Sequence, residues 1–277
     1  MIKPIEELTI MNDFLFSVVM RQEKYCRPLL EYILKIKIKR IEYIGEQESI
    51  RSALPSAKSI RLDVFVEDDQ GSVYDIEVQT TDQHNLGKRS RYYQSMMDIR
   101  VLEKGADYRE LKKSFVIFIC NFDPFRSSRY IYTFRNRCDE EPEETLNDEA
   151  VKIIINTKGT RGEISDELKA VIRYMDSGMI TSDYTEALDA EVKSVKFDEK
   201  VRMSYMLMQE AIMRERRAER YQIFVRLIRR KYQQLNIEDM AEMFDVSPDN
   251  CESVVETINE HPDWDDEQVA EVIWWDR

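Results

Sequence analysis

Hydrophobic and polar residues alternate most regularly in two segments, residues 60–66 and residues 72–79, which are joined by a short Asp/Gly turn. This alternation, rich in β-branched residues, predicts a β-hairpin. Because successive side chains of a strand point to opposite faces, Asp63 lies opposite the apolar face of the first strand. On the second strand, Glu77 and Gln79 share the polar face. All three converge if the strand register agrees.

Helical and buried segments surround this hairpin. Asn12 and Asp13 precede an apolar run and predict a capped helix start, and the apolar pattern continues past Pro28. The predicted order is a helix over 12–34, an edge strand near 36–41, the hairpin, a helix over 86–104 and a strand buried on both faces over 115–120. This order predicts an α/β core with a mixed sheet.

The pattern becomes mainly helical toward the C-terminus. It predicts strands over 130–134 and 151–155, a helix over 166–175, a long helix over 198–232, and two or three short acidic helices within 237–275 that are broken at Pro248 and Pro262. We divide the chain into a core over 1–185, a long helical connector over 186–235 and an acidic helical C-terminal segment over 236–277.

The composition describes a folded protein with few catalytic side chains to choose from. The chain has 277 residues, of which 43% are hydrophobic, enough for one substantial core and a smaller second unit. No apolar stretch reaches membrane-spanning length and the N-terminus lacks a signal core, so we expect a cytoplasmic protein without membrane contact. The four cysteines are scattered without a C-x-x-C pair, which favours reduced, buried thiols.

Histidine content narrows the chemistry most. There are only two histidines, which argues against zinc hydrolases and against serine or cysteine triads. Phosphate-binding glycine motifs are absent as well. If the chain is an enzyme, its carboxylates are the expected catalytic groups.

The net charge of −13 is concentrated in the tail. Residues 236–277 contain 14 acidic residues and one arginine, which accounts for the whole net charge and leaves the preceding residues neutral. A DNA-binding face elsewhere therefore remains open. The basic stretch over 214–231 either follows phosphates or pairs with the acidic tail, and pairing is favoured because the tail is the nearest partner. Residues 238–248 resemble the start of a helix-turn-helix, but their acidity favours a packing or regulatory role.

A family resemblance rests on Asp63, thirteen intervening residues and then Glu77-Val78-Gln79. This spacing resembles the D…(D/E)-x-K signature of PD-(D/E)XK nucleases, with Gln in place of Lys. The chain is similar to recombination-promoting nucleases of the Rpn family and to PD-(D/E)XK family transposases over about residues 5 to 180. Three further segments carry the likeness: residues 12–16, residues 89–93 and residues 105–125.

The resemblance implies a restriction-endonuclease-like fold and a metal-dependent site. Asp63 and Glu77 would bind Mg²⁺, or Mn²⁺ in its place, while Glu77 and Gln79 would orient the attacking water and Asp13 would act as an outer ligand. Glutamine cannot supply the positive charge of lysine, so a nearby cation would have to do so. The residues expected to provide this charge or to contact DNA are Lys88, Arg89, Arg91 and Tyr93.

Each assignment has a structural alternative. Asp13 could act only as a helix cap. Asp63 and Glu77 could be solvent-facing residues of an amphipathic hairpin, although the flanking matches favour function. Asp75, on the same face as Glu77, is expected to be solvated or to act behind the ligands.

Together these observations predict a restriction-endonuclease-like mixed sheet flanked by helices, with a helical C-terminal extension. The expected activity is metal-dependent cleavage of DNA with low sequence specificity, in recombination, transposition or mobile-element biology. Two alternatives stay open: a weak or inactive nuclease-fold module that binds nucleic acid or a partner, and a regulator whose acidic tail occupies a basic groove. A homodimer would supply two active centres for cutting two strands.

Overall fold

The structure of the chain is a computed structural model that describes residues 3–44, 62–232, 234–244 and 246–275. The first strand of the predicted hairpin begins at residue 60, so its first two positions lie outside the described residues. The chain forms two compact units, Met1–Arg202 and Met203–Arg277.

Two helices, α1 (Asp13–Met20) and α2 (Glu23–Leu34), form where one continuous helix was expected. The single-helix prediction is wrong because Gln22 adopts extended backbone, with φ −98° and ψ 118°, through which a helix cannot continue. The predicted capped start is confirmed, since the Asn12 side chain accepts a hydrogen bond from the backbone N–H three residues on. Pro28 lies inside α2.

Six strands of the described chain form one mixed sheet. They are β1 (Ile41–Tyr43), β2 (Val64–Asp68), β3 (Val73–Gln79), β4 (Ser114–Cys120), β5 (Ile131–Phe134) and β6 (Ala150–Asn156), with helix α3 (Leu86–Val101) between β3 and β4 in sequence. The order across the sheet is β1-β2-β3-β4-β6-β5. Strands β3, β4 and β6 run parallel, and the other neighbours are antiparallel. The hairpin and the mixed α/β sheet are confirmed, and the predicted edge strand forms later, from Ile41.

Strand β4 lies in the middle of the sheet, and all seven of its residues are buried. On one face, α3 packs over a hydrophobic cluster drawn from β2, β3, β4 and β6; its members include Phe65, Val116, Phe118, Met97 and Ile154. Helix α1 contacts β3 but contributes no described residue to this cluster, which indicates that it packs on the opposite face. Both faces of the central strands are therefore covered, as the unbroken apolar run of β4 predicted.

The first unit continues through α4 (Asp166–Ser177) and α5 (Asp183–Phe197) to the start of α6 (Glu199–Lys231). Helix α5 lies mostly within the segment predicted as a helical connector, residues 186–235, but no separate helix was predicted there. It is capped by Ser182, and it contacts both α1 and α4. The predicted boundary at residue 185 lies inside this helix, whereas the compact unit extends to Arg202.

The second unit contains α6 from Met203 onward together with three short helices, which confirms the predicted helical extension. These are α7 (Ile237–Phe244), α8 (Pro248–Glu260) and α9 (Asp266–Trp275). Asp266 accepts hydrogen bonds from Nε of Arg226 at 3.1 Å and from Nε of Arg229 at 3.0 Å, so these two arginines of the basic stretch pair with the acidic tail. Within the ranges that the structure describes, no helix has both the length and the apolar content to cross a bilayer.

The turn after β6 requires glycine at position 159. A Cβ added to Gly159 would lie 2.7 Å from Cα and 2.8 Å from N of Tyr130. Both are backbone atoms of the segment that leads into β5, so they cannot move aside as a flexible side chain could. This close contact holds the loop before β5 against the loop after β6.

We expect Gly159→Ala to lower the free energy of unfolding by about 1–3 kcal/mol, because the added methyl group forces backbone shifts in a packed turn. Gly87→Ala is the matched control. It places the same methyl group in helix α3 with no atom within 4 Å, and it should stabilise by about 0.5 kcal/mol. Urea denaturation of both variants measures the difference, and equal effects would contradict the assigned contact.

Candidate active site

The antiparallel register of β2 and β3 places Asp63 beside Glu77. Val64 pairs with Ile76, so the next positions outward are Asp63 and Glu77. The backbone N–H of Asp63 donates to Oε1 of Glu77 at 3.0 Å, and the backbone N–H of Val78 donates to Oδ2 of Asp63 at 3.3 Å. The two predicted ligands are thus brought together, and each carboxylate is held by the other strand.

The carboxylates of β3 lie on the face that α3 covers. The side chain of Glu77 is 4% exposed and Asp75 is fully buried, among neighbours such as Val116 and Phe118. No backbone or side-chain N–H or hydroxyl group of the described residues donates to Asp75, whose only hydrogen-bonding neighbour is the carboxyl group of Glu77. Of the two settings expected for Asp75, solvated or behind the ligands, the solvated one is therefore wrong, because the polar face of the hairpin is covered by a helix. The apolar run of β4 could have predicted this burial, since a strand buried on both faces implies that the adjacent strand β3 is covered on both faces as well.

Burial sets the electrostatics of this pair. Loss of solvation raises the pKa of Asp75 well above its ordinary value, and the charge of Asp63 raises it further. Loss of solvation also raises the pKa of Glu77, with an added contribution from Asp75. The guanidinium of Arg89 opposes both shifts without cancelling them.

Arg89 is the cation that reaches the carboxylates. It lies in the first turn of α3, where its Nη1 donates to Oε1 of Gln79 at 2.6 Å and its Nη2 donates to the hydroxyl of Tyr93 at 3.0 Å. The same Nη2 lies 3.7 Å from Oε2 of Glu77. Of the three cations considered from the sequence, Arg89 therefore faces Gln79, whereas Lys88 and Arg91 are exposed.

Tyr93 forms part of the wall of the site. It follows Arg89 by one helical turn, is 9% exposed and packs against Phe118 with ring centroids 5.9 Å apart. Burial, reinforced by the charge of Glu77, raises the pKa of Tyr93 to about 12. Its hydroxyl therefore stays protonated near neutral pH and holds Arg89 by accepting the hydrogen bond from its Nη2.

Asp13 lies in the first turn of α1 and is exposed. Asn12, not Asp13, caps this helix, and Oδ1 of Asp13 accepts a hydrogen bond from the backbone N–H of Phe14 at 2.8 Å. Across the described ranges, no hydrogen bond or ion pair joins Asp13 to Asp63 or Glu77. The structure thus brings three of the four predicted catalytic residues together and leaves Asp13 outside their contacts.

The donor set suits a hard divalent cation. Asp63 and Glu77 provide carboxylate oxygens, and a nearby cation would favour the ionised form of buried Asp75, which loss of solvation otherwise disfavours. Within the described residues there is no ready cluster of three or more His, Cys, Asp or Glu side chains around one point. Mg²⁺ commonly takes only one or two carboxylates and keeps several waters, so a two-carboxylate site meets its requirements.

The mixed α/β sheet flanked by helices, with two facing carboxylates on adjacent strands, is that of a restriction-endonuclease-like fold. The family model described as PD-(D/E)XK nuclease family transposase matches residues 10–222, and the chain belongs to this family. The resemblance identified in the sequence is thereby confirmed, and the matched region includes every predicted site residue. Searches of curated proteins and of solved structures found no match.

Asp75→Asn is expected to stabilise the metal-free protein. The amide keeps the shape of the side chain, removes the charge that burial disfavours and can donate to the neighbouring Glu77 carboxyl group, a change on the order of 1–2 kcal/mol at about pH 8 in EDTA. The folded-state pKa of Asp75 lies above its unfolded value. Its contribution to stability is therefore complete below the unfolded pKa and is lost as the pH rises through the folded pKa.

The gain from Asp75→Asn should consequently be larger at about pH 8 than at about pH 5. Urea denaturation at both pH values measures it, with Asp139→Asn as the control at an exposed position of the β5–β6 connection. A variant no more stable than the wild-type protein at the higher pH would show that the Asp75 carboxylate is compensated within the metal-free fold.

Proposed function

We propose that this protein is a Mg²⁺-dependent endodeoxyribonuclease that hydrolyses DNA phosphodiester bonds with low sequence specificity, in recombination, transposition or mobile-element biology. Membership in the PD-(D/E)XK nuclease family supports a nuclease-type hydrolase. One observation carries the finer proposal: Asp63 and Glu77 lie together on adjacent strands, with Arg89 held between Gln79 and Glu77.

Asp63 and Glu77 would hold the metal. Bound there, Mg²⁺ or Mn²⁺ would polarise the phosphoryl oxygen and lower the pKa of a bound water. The protein supplies the fixed positions of the two carboxylates, because the hydrogen bonds from the Asp63 and Val78 backbone N–H groups prevent either side chain from turning away.

Gln79 and Arg89 together provide what a single lysine provides in the D…(D/E)-x-K pattern. Arg89 donates to Oε1 of Gln79, which leaves the Gln79 amide N–H groups to donate to a water or a phosphate oxygen. Arg89 itself carries the positive charge that glutamine lacks. Since Tyr93 and Phe118 pack against its guanidinium, this charge is held in place before substrate binds.

DNA contacts of low specificity follow from the exposed cations of α3. Lys88 and Arg91 lie on the surface of the helix that begins seven residues after Gln79, and neither forms an ion pair among the described residues. Contacts from such side chains to phosphates position a duplex without reading its sequence. Two copies of the chain would supply two active centres for a double-strand cut, so a homodimer is part of the proposal.

Asp63→Ala and Glu77→Ala should each lower nicking of supercoiled plasmid at least about a hundredfold, because each removes one ligand of the metal that stabilises the transition state. The assay compares Mg²⁺, Mn²⁺ and EDTA. Asp69→Ala is the matched control, since it removes an exposed carboxylate from the turn of the same hairpin.

Metal-dependent nicking that both site variants lose and Asp69→Ala keeps would establish the two ligands. If no metal supports cleavage while the protein still binds DNA, the chain is a binding module with a nuclease fold.

Arg89→Ala and Arg91→Ala separate catalysis from binding. Arg89→Ala should lower the nicking rate at saturating DNA by about a hundredfold, because it removes the charge next to Gln79. Arg91→Ala should mainly weaken DNA binding, since its side chain is exposed. Nicking measured over a range of DNA concentrations distinguishes the two effects. A purely affinity-based loss in Arg89→Ala would contradict the catalytic role.

A further inference from the structure

Two loops lie at the end of the sheet that carries the candidate site, because the strands that precede them run parallel to β3. Strands β3, β4 and β6 are parallel and in register, so Gln79, Cys120 and Asn156 lie side by side at their carboxyl ends. The loop over 121–130 leaves β4 at this edge, and the loop over 157–162 leaves β6 beside it. Both loops therefore lie at the same end of the sheet as the site, within the same compact unit.

Backbone hydrogen bonds fasten these two loops to each other. The N–H of Tyr130 donates to the carbonyl of Arg161 at 3.0 Å, and the N–H of Arg161 donates to the carbonyl of Ser128 at 2.8 Å. The Asn156 side chain donates to the carbonyl of Arg129 at 3.2 Å. Gly159 packs directly against the Tyr130 backbone. The side chains on these loops are thus displayed from a fixed backbone.

Two arginines face each other across this junction. Arg129 and Arg161 form an isolated parallel bridge, which makes them direct lateral neighbours, and both are exposed. Like charges in directly opposed positions are unfavourable. Neither arginine forms an ion pair with any described carboxylate, and the same is true of exposed Arg126 in the first loop.

The nearest acidic side chain of the loop is already engaged. Asp123 accepts hydrogen bonds from the backbone N–H of Ser128 at 2.6 Å and from the hydroxyl of Tyr132 at 2.9 Å, so it shapes the loop. Lys158, by contrast, forms an ion pair with Asp176 at 2.6 Å. The two loops therefore keep a net positive charge, which three arginines carry against the single carboxylate of Asp123.

The far end of the same β5–β6 hairpin has the opposite charge. Residues 135–149, which connect β5 to β6, contain seven acidic residues and two arginines. Because β5 and β6 are antiparallel, this connection lies at the opposite end of the strands from Gln79. Across the hairpin, a polyanion is therefore attracted to the end beside the site and repelled from the other.

We propose that Arg126, Arg129 and Arg161 form a phosphate-binding surface for the backbone of duplex DNA. We call it the loop-arginine surface. Guanidinium groups present paired donors that match phosphate oxygens, and a polyanion would supply the charge that the fold leaves unbalanced. The choice of DNA rests on the proposed function, since a strand whose phosphodiester lies at Asp63 and Glu77 would continue along this edge.

The test is the salt dependence of duplex DNA binding in EDTA, where cleavage cannot interfere. Arg129→Ala/Arg161→Ala should reduce the slope of log K against log salt by about two, because each lost phosphate contact removes about one released counterion. Affinity at about 0.1 M salt should fall roughly tenfold or more. Arg135→Ala/Arg137→Ala is the matched control: it removes two charges from the acidic end of the same hairpin and should leave the slope unchanged.

Thermal denaturation checks folding, and removing two opposed like charges should not lower Tm. Three results would contradict the proposed surface. They are an unchanged slope in Arg129→Ala/Arg161→Ala, an equal reduction of the slope in the control pair, and a wild-type protein that binds no duplex DNA. Plasmid nicking separates this result from the proposed function. If the wild-type protein nicks plasmid but the arginine double variant keeps the wild-type slope, only the proposed DNA-binding surface is contradicted. If the double variant has a reduced slope but the wild-type protein does not nick, only the proposed nuclease activity is contradicted.

Discussion

The arrangement of the site depends on the antiparallel register between β2 and β3. A shift of one residue would turn every side chain of one strand to the other face and would separate Asp63 from Glu77. The Asp/Gly turn fixes this register, since the backbone N–H of Asp68 donates to the carbonyl of Ser72 and Asp68 accepts from two turn N–H groups. The hairpin sequence therefore positions the two carboxylates before any cation or substrate is present.

This register carries an energetic cost. It places Asp75 and Glu77 in a hydrophobic layer between the sheet and α3, where charged groups lose their solvation. Arg89 compensates only part of this cost, because it contacts Gln79 and Glu77 but donates no hydrogen bond to Asp75. A fold that keeps buried carboxylates under-compensated is suited to binding a cation, and such groups commonly mark functional sites.

The sequence predicted what local pattern determines. Strand alternation gave the hairpin, the apolar run gave β4, and helical spacing with breaks at Pro248 and Pro262 gave the C-terminal helices. It did not predict the burial of Asp75 or the choice of Arg89 among three cations, because both depend on how α3 packs over the sheet. The break at Gln22 and the separate start of α5 at Asp183 were missed as well; the cap at Ser182 was a visible signal for the latter. The pairing of Arg129 with Arg161 required the strand order, which no local pattern contains.

The most direct test of the metal site is an anomalous difference map from crystals grown with Mn²⁺. We expect a peak within coordination distance of carboxylate oxygens of both Asp63 and Glu77, with waters completing the shell. Such a peak would show that the hairpin register builds a cation site. A well-ordered Asp63 and Glu77 without a peak between them, at Mn²⁺ concentrations that saturate the protein, would contradict the assignment of these two residues as the metal ligands.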